Sequence, residues 1–137
     1  MADEHLLIVR TENPIDFTVA DGTAIAKGAF CKMTTGRVAI LSAGDGDVVG
    51  GVCARDKLAS DGRTQAAMFR GGIFSAVAGV AGVTVGLAIQ TDTSTSSANR
   101  LVNADVNTEN IVGICLETAS NGVRFQYELK PVAVNLA

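Results

Sequence analysis

Nucleophilic or acid–base chemistry needs a nucleophile, a base and an orienting group brought together. This chain has one histidine, His5, close to its N-terminus. Ser and Thr are plentiful, but none sits in a G-x-S-x-G elbow. The three cysteines, Cys31, Cys53 and Cys115, are odd in number and widely spaced, which is neither a disulfide framework nor a zinc-ligand pattern. They read as small buried apolar side chains. Gly44-Asp45-Gly46-Asp47 resembles half a calcium loop, with carboxylates on a flexible turn, but it lacks the spaced third acid and the closing bidentate Glu. A solvated hairpin turn explains it better. Asp92, Asp105 and Glu109 would meet an ion only if the fold gathered them. Gly71-Gly72 and Gly79-Val80-Ala81-Gly82 lack the trailing Lys-Ser/Thr of a phosphate loop, so close β packing is the simpler account. The residues therefore offer no catalytic, cofactor-binding or metal site, and the chain reads as a non-enzyme.

The elements that would carry any site are β-strands. The chain has 137 residues, 47% of them apolar, with fifteen Gly, two Pro, five Phe, one Tyr and no Trp. That is enough for one domain with a core of Val, Ala, Ile and Leu. Net charge is −3 and the Lys and Arg residues are scattered singly, so nucleic-acid binding lacks its electrostatic footprint. The opening Met1-Ala2-Asp3-Glu4-His5 is acidic where a secretory leader would be basic. The uncharged stretch between Arg70 and Gln90 is long enough to suggest a membrane span. Five glycines interrupt it (Gly71, Gly72, Gly79, Gly82, Gly86), and each would cost a helix roughly 1 kcal/mol against Ala. Two strands joined by a turn fit better, with Val77, Val83, Val85 and Leu87 or Ile89 among the most buried positions. No membrane partner is expected.

From Asp21 onward one order of features occurs twice. Ile25 to Phe30, Gly36-Arg37-Val38-Ala39 and Val49-Gly50-Gly51-Val52-Cys53 are followed by a turn at Ser60-Asp61-Gly62 and by strands at Thr64–Phe69 and Ile73–Val77. Val83 to Ile89, Asn99-Arg100-Leu101-Val102 and Ile111-Val112-Gly113-Ile114-Cys115 are followed by a turn at Ser120-Asn121-Gly122 and by strands at Val123–Leu129 and Val132–Leu136, with Lys130-Pro131 between them marking a break or an edge position. The Thr93–Ala98 loop accounts for the main difference in length. The pattern fits an internal duplication, with repeats at 21–78 and 79–137; two meanders of similar composition would look the same. Arg37 and Arg100 fall at equivalent turns, where structural roles outweigh anion binding. Period-two alternation and recurrent turn dipeptides point to a small all-β barrel or sandwich. Any helix is short, at most one turn within 103–110. Residues 1–20 form an extended arm before a single domain at 21–137. The arm is either a first edge strand or a segment that pairs with a neighbour.

Ile25-Ala26-Lys27-Gly28-Ala29-Phe30, Val49-Gly50-Gly51-Val52-Cys53, Arg70-Gly71-Gly72-Ile73-Phe74, Gly86-Leu87-Ala88-Ile89, Leu101-Val102 and Ile111-Val112-Gly113-Ile114-Cys115-Leu116-Glu117 together resemble the capsid decoration proteins of tailed bacteriophages, also called cement or head-decoration proteins. The resemblance spans most of Asp21 to Leu129. It rests on short strand motifs and does not extend to the arm or to the Thr91–Ala98 loop.

The resemblance implies a β-barrel or β-tulip-like sandwich that forms a homotrimer on the outer surface of the virion after synthesis in the host cytoplasm. Such a protein clamps neighbouring major capsid protein subunits once the shell has expanded and resists the pressure of packaged DNA. Binding only to the assembled shell would stabilise it by linkage. An arm could add a strand to an exposed sheet edge of the capsid protein; Leu6, Leu7, Ile8, Val9, Ile15 and Phe17 are the candidate contact residues. On that view, residues 1–17 could be deleted without unfolding the body. The competing reading is a surface-displayed β-sandwich for carbohydrate adhesion, which would need exposed aromatics to stack on sugars.

Overall fold

Short runs of Val, Ile, Phe and Ala separated by Gly-containing turns bury their apolar side chains most readily as paired strands. The structure is a computed structural model and describes residues 3–43, 46–92, 99–105 and 110–133. The described residues form β1 (Leu6–Val9), β2 (Ile15–Thr18), β3 (Phe30–Met33), β4 (Ala39–Leu41), β5 (Val49–Cys53), β6 (Gln65–Phe69), β7 (Gly72–Val77), β8 (Ala88–Thr91), β9 (Leu101–Asn103), β10 (Asn110–Cys115) and β11 (Arg124–Ala133). They make two antiparallel sheets, ordered β1-β7-β11-β10-β8-β9 and β2-β6-β5-β3-β4, packed as a sandwich. The all-β expectation holds in its sandwich form. No helix among the described residues is long and apolar enough to cross a membrane. The Arg70–Gln90 stretch instead holds β7, an isolated bridge at Val83 and the start of β8.

The strand order itself repeats. Without β1, the orders β2-β6-β5-β3-β4 and β7-β11-β10-β8-β9 match strand for strand. Ile25 and Lys57 exchange two backbone hydrogen bonds, and so do Val83 and Ala119. The Cys53 thiol donates to the carbonyl of Arg55 and the Cys115 thiol to that of Glu117. Parallel bridges at Thr18–Val38 and Ala78–Leu101 bring the first and last strands of each unit together at one corner. Gly51 and Gly113 occupy matching places. A Cβ at Gly51 would collide with the carbonyl of Phe69, and one at Gly113 with the carbonyl of Glu128. Each repeat thus requires a glycine where β5 meets β6, or β10 meets β11.

Three expectations change. The structural units run β2–β6 and β7–β11, so Ile73–Val77 opens the second unit rather than closing the first. Val85 is 56% exposed and Leu87 49% exposed, while Val77, Val83 and Ile89 are buried. The cause is local: Val83 makes one bridge and the chain then turns through Val85-Gly86, so β8 begins only at Ala88. Finally, Lys130-Pro131 does not end its strand. Ile111 pairs with Val132 and Gly113 with Leu129, which makes Lys130-Pro131 a bulge opposite Val112. A bulge tolerates the missing proline donor. Residues 134–136 of the expected last strand, 106–109 of the expected helical turn, and all of the Thr93–Ala98 loop lie outside the described residues.

The five-stranded sheet is covered on both faces. Phe17, Cys31, Cys53 and Met68 cluster on one, and Phe30, Val52 and Phe69 join Phe74, Phe125 and Tyr127 of the other sheet on the second. Double burial explains why every residue of β5 is buried. Lys57 is also buried. Its ammonium donates to the carbonyls of Asp21 and Leu58 and to the Asp61 carboxylate at 3.0 Å. Hydrogen bonds from the Arg63 backbone and from Lys57 hold the Asp61 carboxyl down at about 2. The matching residue in the second unit is Ala119, which has no charge to satisfy.

His5 ties the N-terminal segment to both units. Its backbone N–H donates to Gly28, and its ring lies 5.3 Å from that of Phe30. Nε2 lies 2.7 Å from the carbonyl of Asn99, which can only accept, so Nε2 carries the proton. Nδ1 therefore accepts from the Tyr127 hydroxyl at 2.6 Å. The Asn99 side chain in turn accepts from the backbone of Phe30. Arg100 pairs with Asp3 at 2.7 Å, and Arg124 donates to the carbonyl of Glu4. Burial lowers the His5 pKa to about 4 and pushes that of Tyr127 well up.

Three outcomes follow. Gly113→Ala lowers stability by about 2 kcal/mol in urea unfolding, whereas Gly22→Ala, where a Cβ meets nothing within 4 Å, leaves the midpoint nearly unchanged. Lys57→Met loses charge-assisted hydrogen bonds and costs about 2 kcal/mol; an unchanged midpoint would show the buried ammonium to be dispensable. The folded state keeps His5 neutral while the unfolded chain takes up a proton below about pH 6.5, so stability falls on acidification from there toward pH 4. The protein should be about 2 kcal/mol less stable at pH 5 than at pH 7.5, and His5→Gln should abolish that difference.

Candidate interaction surface

The apolar run Leu6-Leu7-Ile8-Val9 forms β1, an edge strand of the six-stranded sheet. It pairs antiparallel with β7 (Leu6 opposite Ser75, Leu7 opposite Phe74, Val9 opposite Ile73), with a register shift around Ile8. All four side chains remain 40–52% exposed. Edge strands normally carry a Lys, a Pro or a short irregular segment that discourages further pairing. β1 is short, at four residues, and shifts register at Ile8, but it carries neither Lys nor Pro and offers an uncharged apolar edge.

The other candidate residues separate. Ile15, at the start of β2, is 42% exposed, but Phe17 points into the core beside Met68 and is 2% exposed. Ile15 is at the edge of the five-stranded sheet, so the structure places it on a different sheet from β1. Phe17 is a core residue and has no surface to offer a partner. Deleting residues 1–17 would remove His5 and Phe17 from the interior, so the expectation of a folded truncated body gives way to one of a destabilised one.

Beside Leu7, residues that were not among the candidate contacts complete the surface. A groove of about 670 Å³ runs between β1 and the five-stranded sheet. Leu7, Val52, Phe69 and Phe74 line its apolar part, and Arg10, Lys27 and Arg55 add three cations. No carboxylate lines it among the described residues. The Arg10 guanidinium stands 5.8 Å over the Phe69 ring and bonds to Asn13 at 2.6 Å. These residues come from separate strands and turns and share no sequence spacing; their only signal was the isolated positive charges at Lys27 and Arg55 beside short strands.

A second exposed apolar group, Val85, Leu87, Leu116 and Val123, belongs to the β7–β11 unit. Matching backbone bonds place Ala29, Ala54 and Thr64 of the first unit where Leu87, Leu116 and Val123 stand in the second. The two units therefore differ in surface character while sharing a framework.

Other chemistry-bearing candidates serve the fold. Both ring nitrogens of His5 are bonded inside the protein. Asp47 accepts from the Ser42 hydroxyl and the Ala43 backbone and so closes its own turn; Gly44 and Asp45 lie outside the described residues. Burial pushes the Cys31 thiol well up and raises those of Cys53 and Cys115, away from the thiolate. No group of three or more His, Cys, Asp or Glu among the described residues is placed to hold a metal ion.

No protein-family model matches the sequence, and no curated protein matches it. Among solved structures, the chain is similar to the N base of the head fiber gp8.5 of bacteriophage phi29. The TM-score is 0.54 at 17% sequence identity, over 85% of this chain and 93% of the other. The two share a fold.

Proposed function

We propose that this chain is a structural protein of a bacteriophage virion that sits on the outer surface of the expanded capsid and cements neighbouring major capsid subunits. The observation that carries the proposal is β1, an exposed edge strand made only of Leu, Ile and Val. An edge of this kind recognises another sheet edge through backbone hydrogen bonds and apolar side chains. The shared fold with a phage head-fiber base agrees with a place on the head. Leu6, Leu7, Ile8 and Val9 make the capsid contact, with Ile15 at its margin. The Val85, Leu87, Leu116 and Val123 group serves contact between copies in a homotrimer. The carbohydrate-adhesion reading is weaker, because all five Phe and the one Tyr are buried and leave no aromatic platform for a sugar.

Purified protein added to expanded capsids that lack it should co-sediment with them and raise their melting temperature. Leu7→Lys with Ile8→Lys places charge on the edge and should weaken that binding on the order of tenfold or more while the protein stays folded. Equal binding by the double variant would remove β1 from the contact, and failure of the wild type to bind would remove the capsid from the function. In light scattering the wild type should be a trimer and Leu116→Lys should shift it toward monomer.

A further inference from the structure

We propose that the groove beside β1 receives an extended acidic segment of a partner protein, which adds as a strand to the free edge of β1 and sets carboxylate side chains against Arg10, Lys27 and Arg55. This deepens the reading of β1 as a contact strand and rests on it.

The argument begins with charge. The protein carries a net −3, yet the groove is lined by three cations and, among the described residues, no carboxylate. The nearby Asp56 accepts from the backbone N–H of Lys27 at 2.7 Å, which orders the Lys27 turn while Asp56 itself stays out of the lining. Arg10 is held in place by Asn13 on one side and the Phe69 ring on the other. A guanidinium fixed in this way loses little side-chain freedom when it meets a carboxylate. Opposite charge across such a rim speeds encounter and selects among partners.

Shape sets the conformation of the occupant. One wall of the groove is an edge strand, and only another extended strand satisfies its outward N–H and C=O groups in register. The apolar side chains that the groove leaves accessible, Leu6 and Leu7 with the half-buried Pro14 and Ala54, take alternate side chains of such a strand. The chain already uses this arrangement internally, where the apolar β1 lies along the edge of β7. The expected occupant therefore alternates apolar and acidic residues, in contrast to the uncharged sequence of β1.

The test is an NMR titration of the full labelled chain with the capped peptide Thr-Val-Glu-Val-Glu-Val-Thr and its counterpart with Lys in place of Glu. The Glu peptide should shift resonances of residues 6–10, 27–28 and 52–55, and the Lys peptide should not bind. Arg55→Glu and Lys27→Glu, both on exposed side chains, should each weaken the Glu peptide on the order of tenfold, and added salt should weaken it further. Equal binding of the two peptides, shifts mapping elsewhere, or indifference to both charge reversals overturns the proposal. Self-association of the wild type that is lost in Arg55→Glu would identify a second copy as the occupant and equally overturn it. Expanded capsids separate the two levels. If the charge-reversed variants coat capsids as the wild type does, the acidic segment is wrong and the capsid contact stands; if the wild type does not coat them, the capsid contact itself is wrong.

Discussion

The fold depends on a neutral histidine held between a carbonyl and a hydroxyl. His5 lies outside both repeated units, yet it touches each, through Phe30 in the first and Tyr127 in the second. A buried imidazole with an unsatisfied nitrogen would be costly. Here the partners are supplied by a loop, Asn99, and by the longest strand, β11. The position of β1 follows from this. Once His5 is seated, the next four residues run along β7, and their apolar side chains are left at the surface. The exposed apolar edge is thus a consequence of a core contact one residue before it.

The two units show how one framework carries different chemistry. The glycine close approaches at Gly51 and Gly113 and the thiol bonds of Cys53 and Cys115 belong to the framework, because each satisfies a backbone requirement set by strand pairing. Lys57 and Ala119 do not. At one end of the first unit a buried ammonium gathers two carbonyls and a carboxylate, whereas at the matching place in the second unit stands the methyl group of Ala119.

Strand content was legible where period two met a one-sided core. In β11, Phe125, Tyr127 and Leu129 are buried while Arg124 and Glu128 are exposed, as alternation demands. The doubled motif was legible because the same glycine and cysteine recur at the same step. Val85 misled because an apolar residue in a turn looks like one in a strand until the turn is placed. The burial of His5 was not legible, since Tyr127 and Asn99 are distant in sequence; that of Lys57 was not, since its spacing to Asp61 is shared by exposed ion pairs and its other hydrogen bonds go to backbone carbonyls, which leave no side-chain pattern. Of the surface, β1 could be read as an apolar run. Phe17 could not be told from Ile15 without knowing which face of β2 meets Met68, and the groove cations acquire meaning only once Lys27, Arg55 and Phe69 are brought beside Leu7.

The separation of 122 residues between His5 and Tyr127 also has a temporal side. A chain made from its N-terminus has all of β2 to β6 available long before β11 exists. The first unit can therefore assemble while β7, which lies between β1 and β11, still waits for β11. Closing so large a loop is slow compared with forming local hairpins, so seating His5 is a late event in folding. Until β11 is in place, the segment that leads into β1 has its contacts to Gly28 and Phe30 but lacks the Tyr127 hydroxyl that completes the His5 site.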